Sequence, residues 1–577
     1  MNKRIQSILL HPHHTIKDAM KKMEEGKKIG PSAPWGICLI VDEKKKLKGV
    51  VTDGDIRQAL LAGHTLSTPV SSIMTKNPLT VKSASLPKDM LIDLHHEFKN
   101  RNATENKYHQ IVIVHENGAV EDVVTPFELW RRSELKTKNV AIIGLGYVGL
   151  TLGLSFADLG IKVFGIDTSA HVVKQLTKGV PHFYEKGLDA LLKKHINKNL
   201  FVKKTLSKNE SDIYIICVGT ATDEKNNMIS SYIKNAAHAV GKALKAHDLI
   251  VLRSTVVVGT TRDIVVPILE KESGLKAGRD FFIAFAPERT AQGKALEELR
   301  TLPQVIGGLN KQSLDYTAQL FQPLTNTIIS VSSMEAAETV KLLNNTFRDI
   351  SFSFSNEVAQ ICDRMNLNTM EIIRAANEGY PRNPIPYPSP GVGGSCLVKD
   401  PYIFAESAKK VNYKAQLPLV SRAINQHMVD FVHEKVHAFC KRNKKSAKHA
   451  KIFIVGMAFK GSPETSDIRN STAVDITKKL QRTYKNIVAY DPVATSYDLK
   501  KLGIKIAPSL AAGFKNADCV LLLNNHHSYK NIDIHKATQA MNTPSLLLDG
   551  WSVFAPQDFA HFDHITYDGL GVGQLPQ

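Results

Sequence analysis

A glycine-rich turn between two apolar strands constrains this chain more than any other feature. From Val140 the sequence reads VAIIGLGYVGLTLGLSFADLGIKVFGIDTS, with GxGxxG at Gly144, Gly146 and Gly149 and with Asp167 closing the second strand. The first glycine permits a tight strand-to-helix turn, the second lets a pyrophosphate approach the helix N-terminus, and the third lets helix and strand pack closely. Asp167 can accept hydrogen bonds from a ribose 2′-hydroxyl and would repel a 2′-phosphate. The pattern therefore predicts a dinucleotide-binding fold that prefers NAD to NADP.

The rest of the chain continues the alternation of strands and helices. Further strand patterns follow before residue 290, and the stretch from about 332 to 435 is helical apart from a Gly/Pro loop. After a lysine-rich segment, four more strand patterns form a second α/β unit, whose first turn, GMAFKG, lacks the glycine fingerprint. We therefore expect an α/β protein with two Rossmann-like doubly wound domains, at 138–330 and 449–577, joined by a central helical domain at 331–440. The second of them is expected to bind something other than a full dinucleotide.

Two segments near the start of the chain repeat each other without gaps. CLIVDEKKKLKGVVTDGDI (Cys38–Ile56) aligns with IVIVHENGAVEDVVTPFEL (Ile111–Leu129), and such a repeat indicates two copies of one supersecondary unit packed together. Residues 1–133 resemble a tandem pair of CBS domains, an α+β module that commonly binds adenine nucleotides between its repeats. The resemblance implies that Thr52 and Asp55 face the nucleotide ribose. The second copy departs, with Pro126 and Glu128 after its threonine, so a packing or oligomerisation module stays an alternative.

Composition narrows the class of protein. With 43% hydrophobic and 22% charged residues among 577, the chain is typical of a globular protein. No apolar run approaches the ~18 residues of a membrane-spanning helix, and the start lacks a signal peptide, so we expect a cytoplasmic protein without membrane contact. The net charge of +19 suits anionic small molecules, and no nucleic-acid-binding module is recognisable. Six cysteines without CxxC spacing, and histidine pairs without metal-ligand spacing, favour neither a disulfide scaffold nor a metal site.

Several stretches occur in one order over about 440 residues. They are IGLGYVGL, RSTVVVGTT, APER, AETVKLLNNTFRDISFSFSNE, PGVGGSCLVKDP and GMAFKGSPETSDIRNS. Together they resemble the nucleotide-sugar (UDP-sugar) 6-dehydrogenases. This resemblance implies an NAD-dependent enzyme that oxidises a sugar C6 alcohol to a carboxylate with two NAD.

A thiol at the end of a glycine-rich loop fits this chemistry. Cys396 follows Gly391, Gly393 and Gly394. A four-electron oxidation at one carbon must keep the intermediate aldehyde from escaping, and a thiolate can trap it as a thiohemiacetal. The second hydride transfer then gives a thioester, which water hydrolyses. We therefore predict that Cys396 is the nucleophile, and we interpret the glycines as room for C6 to approach.

The resemblance implies roles for five further residues at the reacting centre. Asp400 is a water and proton partner. Lys341 and Asn345, four apart and so on one helix face, stabilise the developing oxyanion and hold the substrate. Glu288 is the general base of thioester hydrolysis, a role served best if burial raises its pKa. Thr255 lies near the nicotinamide and the bound water.

The remaining assignments concern the ligands, which we expect in the cleft between the two α/β domains. Gly393 and Lys460 would bind the UDP-sugar. The residues expected to bind NAD are Gly144, Gly146, Tyr147, Val148, Gly149, Asp167, Thr220, Thr255, Lys399 and Arg469.

The identity of the sugar stays open at this stage. Glu288 is followed by Arg289, and the surrounding segment looks like the branch that acts on UDP-N-acetylhexosamines, whereas GGSCLVKD is typical of UDP-glucose enzymes. We expect UDP-GlcNAc or UDP-ManNAc, with UDP-glucose as the alternative. Two other hypotheses are a two-electron hydroxyacid or 6-phosphogluconate-type dehydrogenase and a catalytically inactive, CBS-regulated binding protein. By resemblance we expect a homodimer or larger homo-oligomer built on the central helix, and a UDP-uronic acid product used in surface polysaccharide synthesis.

Overall fold

The computed structural model describes residues 3–28, 36–85, 90, 110–125, 137–325, 327–382 and 384–572. The helices are α1 Lys3–Gln6, α2 Ile16–Lys28, α3 Asp53–Leu61, α4 Tyr147–Asp158, α5 Ala170–Thr177, α6 Leu188–His195, α7 Ser231–Ala243, α8 Val266–Ser273, α9 Ala295–Thr301, α10 Lys311–Phe321, α11 Met334–Met365, α12 Thr369–Asn377, α13 Asp400–Lys409, α14 Leu417–Arg442, α15 Thr472–Thr483, α16 Ser496–Lys501, α17 Leu510–Phe514 and α18 Ile534–Gln539. A π-helical turn, Thr261–Val265, precedes α8.

The strands form four sheets. They are β1 Leu9–Leu10, β2 Ile37–Val41, β3 Leu47–Thr52, β4 Thr80–Lys82, β5 Ile111–Val114, β6 Val120–Val124, β7 Val140–Ile143, β8 Val163–Ile166, β9 Leu200–Lys203, β10 Ile213–Ile216, β11 Leu249–Leu252, β12 Phe282–Phe285, β13 Gln304–Gly308, β14 Ile328–Val331, β15 Lys451–Val455, β16 Asn486–Tyr490, β17 Lys505–Ile506, β18 Cys519–Leu522, β19 Ser545–Asp549 and β20 Ile565–Gly569.

The sequence repeat near the start is also a structural repeat. In β1-β2-β3 and in β4-β5-β6 alike, the first strand runs parallel to the second and the second antiparallel to the third. Both hairpins have an irregularity at the same aligned position, between Ile40 and Val41 and between Ile113 and Val114. Apolar side chains of the two sheets form one cluster. Pro126 and Glu128, where the second copy departs in sequence, lie outside the described residues.

The glycine fingerprint directly follows β7, a central strand of the eight-stranded sheet. Its order is β14-β13-β12-β11-β10-β7-β8-β9, and its pairs are parallel except β12 with β13. Counted from β7, the six strands β7 to β12 have the order 3-2-1-4-5-6 of a dinucleotide-binding sheet. Because all four residues of β7, β8, β10 and β11 are buried, these strands are covered on both faces, which explains their continuous apolar runs.

The second α/β unit repeats this order. Its sheet, β17-β16-β15-β18-β19-β20, is parallel throughout. The expected fold class, with two Rossmann-like units around a helical region and a CBS module before them, is confirmed. Within these two sheets, the sequence patterns did not reveal strands β9, β13, β14, β17 and β20, of which β13 and β14 lie outside the 3-2-1-4-5-6 orders.

Four helices, α11 to α14, connect the two units. The longest, α11, begins at a Ser333 side chain that accepts a hydrogen bond from the Ala336 N–H and ends at Asn366 in the left-handed conformation. It packs along α14. Within the described residues, no helix is long and apolar enough to cross a bilayer.

The fingerprint turn depends on a close backbone approach at Gly149. A Cβ there would lie 1.8 Å from the Gly144 carbonyl oxygen, whereas at Gly153, one turn later in α4, it would meet Ile142 and Val163 at an ordinary 3.5 Å. A side chain is therefore sterically excluded at Gly149 but can be accommodated at Gly153.

We predict that Gly149→Ala lowers the free energy of unfolding by about 1 to 3 kcal/mol, the usual cost of overpacking, and weakens NAD binding. Gly153→Ala is the matched control and should be neutral or stabilising by up to about 1 kcal/mol, since alanine favours helix. Chemical denaturation and NAD titration of both variants measure this. Equal stability of the two variants would contradict the packing argument.

Candidate active site

The Asp400 carboxylate joins residues from distant parts of the chain. It is fully buried at the start of α13. The Asn345 amide donates to its Oδ2 at 2.6 Å and the Lys399 ammonium to its Oδ1 at 2.6 Å. Lys399 also donates to the Thr220 hydroxyl at 3.3 Å. Burial alone would lower the pKa of Lys399, but the negative charges of Asp400 and Cys396 outweigh it and raise that pKa.

Cys396 lies directly before this cluster. It is exposed, whereas the other five cysteines are buried. Its carbonyl oxygen accepts the backbone N–H groups of Lys399 at 3.1 Å and Asp400 at 2.9 Å, which fixes the turn that leads into α13. The predicted nucleophile is therefore the accessible thiol, and it stands beside the predicted proton partner.

The glycines before Cys396 contact protein rather than open space. A Cβ at Gly393 would lie 2.6 Å from the Asn470 carbonyl oxygen, and one at Gly394, where φ is +94°, would lie 2.8 Å from the Phe459 ring. The Gly394 N–H donates to the Asn470 carbonyl at 3.0 Å. Their bareness lets the loop dock against the second α/β unit. This is a different physical reason from the expected room for a substrate carbon.

Glu288 is buried beside a cation that the sequence reasoning missed. The Arg253 guanidinium donates to Glu288 Oε2 at 2.5 and 3.2 Å, and the Thr290 N–H donates to Oε1 at 2.7 Å. Burial alone would raise the pKa of Glu288, but Arg253, the Thr290 N–H and the nearby Lys341 outweigh it, and the pKa is lowered. The condition under which a carboxylate serves best as a general base, a pKa raised by burial, is therefore not met at Glu288.

Lys341 and Asn345 share the buried face of α11, as their spacing predicts. Lys341 is close enough to Glu288 to act on its pKa, while Asn345 contacts Asp400. Thr255 is half-buried just beyond the end of β11 and two residues after Arg253. The helix thus links the Glu288 group to the Asp400 group.

The fingerprint turn and the second α/β unit enclose a cavity of about 270 Å³. Among the described residues, no atom lies within 4 Å of a Cβ built on Gly146, so the backbone is open to a ligand there. Asp167 accepts the Leu145 N–H at 2.9 Å through Oδ2, at the end of β8. His182 lines the cavity, and its buried Nδ1 has no hydrogen-bond partner among the described residues. These observations fit a bound dinucleotide.

Two cations reach this cleft from the second α/β unit. The Arg469 guanidinium pairs with Asp467 at 2.9 and 2.7 Å. The Lys460 ammonium donates to the Gln292 carbonyl at 2.8 Å. Burial, with the charge of Arg348, lowers the pKa of Lys460 to about 8.

The two units also touch through Glu464. Its Oε1 accepts the Tyr184 hydroxyl at 2.5 Å, and its Oε2 lies 3.2 Å from His526 Nε2. The loop that carries Lys460 and Arg469 is thereby held against the first unit.

Thr52 and Asp55 lie in the CBS module, apart from these groups. Thr52 donates from its hydroxyl and from its N–H to Asp55 Oδ2, at 2.7 and 2.8 Å, and together they form a capping box at the start of α3. A cavity of about 570 Å³ lies between the repeats, lined by residues of both, including Leu47, Thr80 and Gly118. Neither Thr52 nor Asp55 lines it.

Sequence reasoning missed Arg253, His182 and Asp467. Arg253 lies within the motif RSTV and Asp467 within SDIR. The motifs therefore contain both residues, but the sequence does not show which side chains they contact. His182 follows a proline in a segment without any motif.

The two doubly wound sheets and the dinucleotide turn are typical of an NAD-dependent oxidoreductase. Models of the UDP-glucose/GDP-mannose dehydrogenase family match residues 138–325 (NAD binding domain), 335–427 (central domain) and 453–556 (UDP binding domain), and a CBS domain model matches residues 1–62. The chain belongs to the UDP-glucose/GDP-mannose dehydrogenase family.

Individual relatives agree with this. The UDP-N-acetyl-D-mannosamine dehydrogenase of Pyrococcus horikoshii is 30% identical over 440 residues, which cover 76% of this chain and all of the relative. A solved structure of the UDP-D-ManNAc dehydrogenase from Pyrococcus horikoshii has a TM-score of 0.69 at 28% identity, over 76% of this chain and all of the other. The UDP-glucose dehydrogenase structure from Pyrobaculum islandicum gives 0.66 at 25% identity, over 75% of this chain and 98% of the other.

We predict that Arg253→Met moves the acid limb of the pH profile of kcat to higher pH, because the hydrolysis assigned to Glu288 follows both hydride transfers. In the wild type the pKa of Glu288 is lowered from its ordinary value of 4.5. The acid limb that reports its ionisation should therefore lie below pH 4.5. Without the cation, burial dominates and the pKa rises. Steady-state rates over a pH series measure this.

Arg253→Lys, which retains the charge, is the control and should keep the limb low. A limb at the same pH in all three proteins would contradict the role of Glu288 or of its partner.

Proposed function

We propose that this protein catalyses the NAD-dependent four-electron oxidation of the C6 alcohol of a UDP-N-acetylhexosamine, UDP-GlcNAc or UDP-ManNAc, to the uronic acid. The observation that carries the proposal is the exposed Cys396 thiol beside the buried Asp400–Asn345–Lys399 cluster. The sugar is argued from Arg289 after Glu288 and from the relatives named for N-acetylmannosamine. UDP-glucose is the alternative, since the fold resembles a UDP-glucose dehydrogenase almost as well.

The chain's residues divide the work in this proposal. Gly146, Asp167, Lys399 and Arg469 would hold NAD, which would supply the hydride acceptor for each of the two oxidations. Asp400 takes the proton of the C6 hydroxyl. Lys341, Asn345 and Asp400 then hold the oxygen of the aldehyde while the Cys396 sulfur adds to its carbon.

Hydrolysis of the thioester is assigned to the other side of the site. Glu288 stays ionised because of Arg253 and removes a proton from water as that water attacks the thioester carbon. The carbon–sulfur bond breaks, the uronic acid is released, and the proton held by Glu288 returns to the Cys396 sulfur. Thr255 orients the water, and Lys460 and Gly393 hold the UDP-sugar.

We assign the regions 138–330 to NAD, 331–440 to the helical core and 449–577 to the UDP moiety, with 1–133 as a CBS pair. We place the enzyme in the cytoplasm and its product in surface polysaccharide synthesis. An adenine nucleotide is proposed at the CBS pair, supported by the repeated hairpins and the cavity between them. The capping box formed by Thr52 and Asp55 means that these side chains would have to exchange partners to contact the ribose.

We predict that the purified protein forms two NADH per sugar with UDP-GlcNAc or UDP-ManNAc, and fewer or none with UDP-glucose and UDP-GalNAc. Absorbance at complete turnover, with and without ATP or AMP, measures the ratio and any effect of the CBS module. Cys396→Ser should lower kcat at least about 10³-fold, the scale of losing a covalent nucleophile.

One NADH per substrate, unaffected by Cys396→Ser, would favour a two-electron dehydrogenase instead. No NADH with any sugar, from folded protein that binds NAD, would favour a regulatory binding protein. A ratio of two with UDP-glucose alone would select the alternative sugar.

We further propose a homodimer, or a larger homo-oligomer, built on α11. Its outer face exposes apolar side chains at a helical spacing, with Phe347 67% and Phe354 54% exposed. The stripe they define consists of Leu343, Phe347, Phe354, Ile361 and Met365. So long an apolar stripe on a central helix fits a second copy of the same surface.

We predict that Phe347→Asp and Phe354→Asp shift the protein toward monomer, because an unpaired carboxylate cannot be buried against apolar side chains. Light scattering after size exclusion measures the mass. Tyr497→Asp, at an exposed aromatic outside the stripe, is the control and should leave the assembly unchanged. Unchanged mass in all three variants would contradict this interface.

A further inference from the structure

A network of buried polar side chains crosses the interface between α11 and α14. Packed helices are usually joined by apolar side chains. The Arg422 guanidinium donates to Asp349 Oδ1 at 2.7 Å. The Asn425 amide donates to the same oxygen at 2.9 Å and to the Asp349 carbonyl at 3.0 Å. The Asn356 amide donates in turn to Asn425 Oδ1 at 2.8 Å. All four side chains are buried, three of them completely.

This network ends on the backbone of the loop that carries Cys396. The Ser389 N–H donates to Asn356 Oδ1 at 2.8 Å. Arg422 also points toward the Val392 carbonyl at 3.4 Å. Each contact lies within seven residues of the thiol. Buried polar groups of this kind stabilise a fold weakly compared with apolar packing, so their energetic value alone does not explain them.

The loop backbone is fixed on both sides of the thiol by the same helix. Before Cys396, Asn356 of α11 accepts the Ser389 N–H, and the Asn425 carbonyl packs against Gly391, where a Cβ would lie 2.9 Å from it. After Cys396, Asn345 of α11 holds Asp400. The sulfur thus sits on a short segment clamped at two points of one rigid element.

We propose that Asn356, with Asn425, Arg422 and Asp349 behind it, positions the Cys396 thiol so that it captures the aldehyde before the aldehyde leaves. None of these four residues reaches the reacting atoms, so they act as positioning residues. The inference rests on the proposed four-electron reaction. It adds the group of residues that keeps the aldehyde bound for the second oxidation.

The chemistry explains why position matters more at this step than at the first. The first oxidation needs no sulfur: C6 loses a hydride to NAD and its hydroxyl a proton, and an aldehyde results. Capture forms the sulfur–carbon bond, breaks the carbonyl π bond and places a proton on the oxygen. A displacement of about 1 Å can cost roughly 10²-fold in rate. A loosened loop should therefore leave the first oxidation running while the aldehyde escapes.

The test is Asn356→Leu, which removes both hydrogen bonds at similar volume. We expect kcat for uronate formation to fall about 10- to 100-fold, the ratio of NADH to sugar consumed to fall from two toward one, and an aldehyde to be trapped by semicarbazide. NAD affinity should not change. Asn356→Asp keeps an acceptor for Ser389 and, protonated through burial, a donor to Asn425, so it should restore the ratio of two.

Gln360→Leu is the matched control, because Gln360 is a buried polar residue one turn further along α11 whose amide, among the described residues, bonds to the Asn356 carbonyl and the Met428 sulfur and not to the loop. It should keep the ratio at two. If Asn356→Leu does not fold, Arg422→Lys retains the charge beside Asp349 but shortens the reach to Val392, and it should leak aldehyde as well.

A slower Asn356→Leu enzyme that still forms two NADH, with no aldehyde trapped, would overturn the inference. A wild-type ratio other than two would instead overturn the proposed function on which it rests. The two failures are therefore distinguishable in one set of assays.

Discussion

One buried carboxylate, that of Asp400, holds the candidate site together. It binds Asn345 from α11 and Lys399 from its own loop, and Lys399 extends to Thr220 at the end of the NAD-binding sheet. Burying a carboxylate without partners would cost free energy of folding, so Asp400 requires both Asn345 and Lys399. The exposed thiol precedes this carboxylate by four residues, and the turn between them is closed by their own backbone hydrogen bonds.

The architecture could largely be predicted because its determinants are local. The fingerprint glycines, the alternation of strands and helices, and the repeated hairpin each leave a pattern within about 30 residues, and these patterns predict the two doubly wound units. Strands β9, β17 and β20, which complete their 3-2-1-4-5-6 orders, were missed. The missed strands β13 and β14 extend the first sheet beyond its dinucleotide-binding part, where β13 runs antiparallel to β12. No turn motif separates such additions from loops in the sequence.

The site was predicted as a set of residues, but its electrostatics were not. The letters around Glu288 indicate a base, while the lowered pKa depends on Arg253, 35 residues earlier, which reaches it only because β11 and β12 are adjacent. The glycines before Cys396 likewise suggest open space for a substrate. In the structure, the space that their side chains would occupy is taken by Phe459 and Asn470 of the second α/β unit. Tertiary neighbours decide both properties, and a sequence motif contains no record of them.

Helix α11 performs two tasks on opposite faces. Lys341, Asn345 and Asn356 lie on its buried face, where Asn345 contacts Asp400 and Asn356 contacts Ser389, while Phe347 and Phe354 lie on its exposed face. A rotation or shift of the helix would move both faces together because packed interiors transmit strain. A second copy covering the outer face would therefore restrict the same motions that would misplace the thiol. The proposed dimer and the proposed retention of the aldehyde would therefore both depend on this one helix.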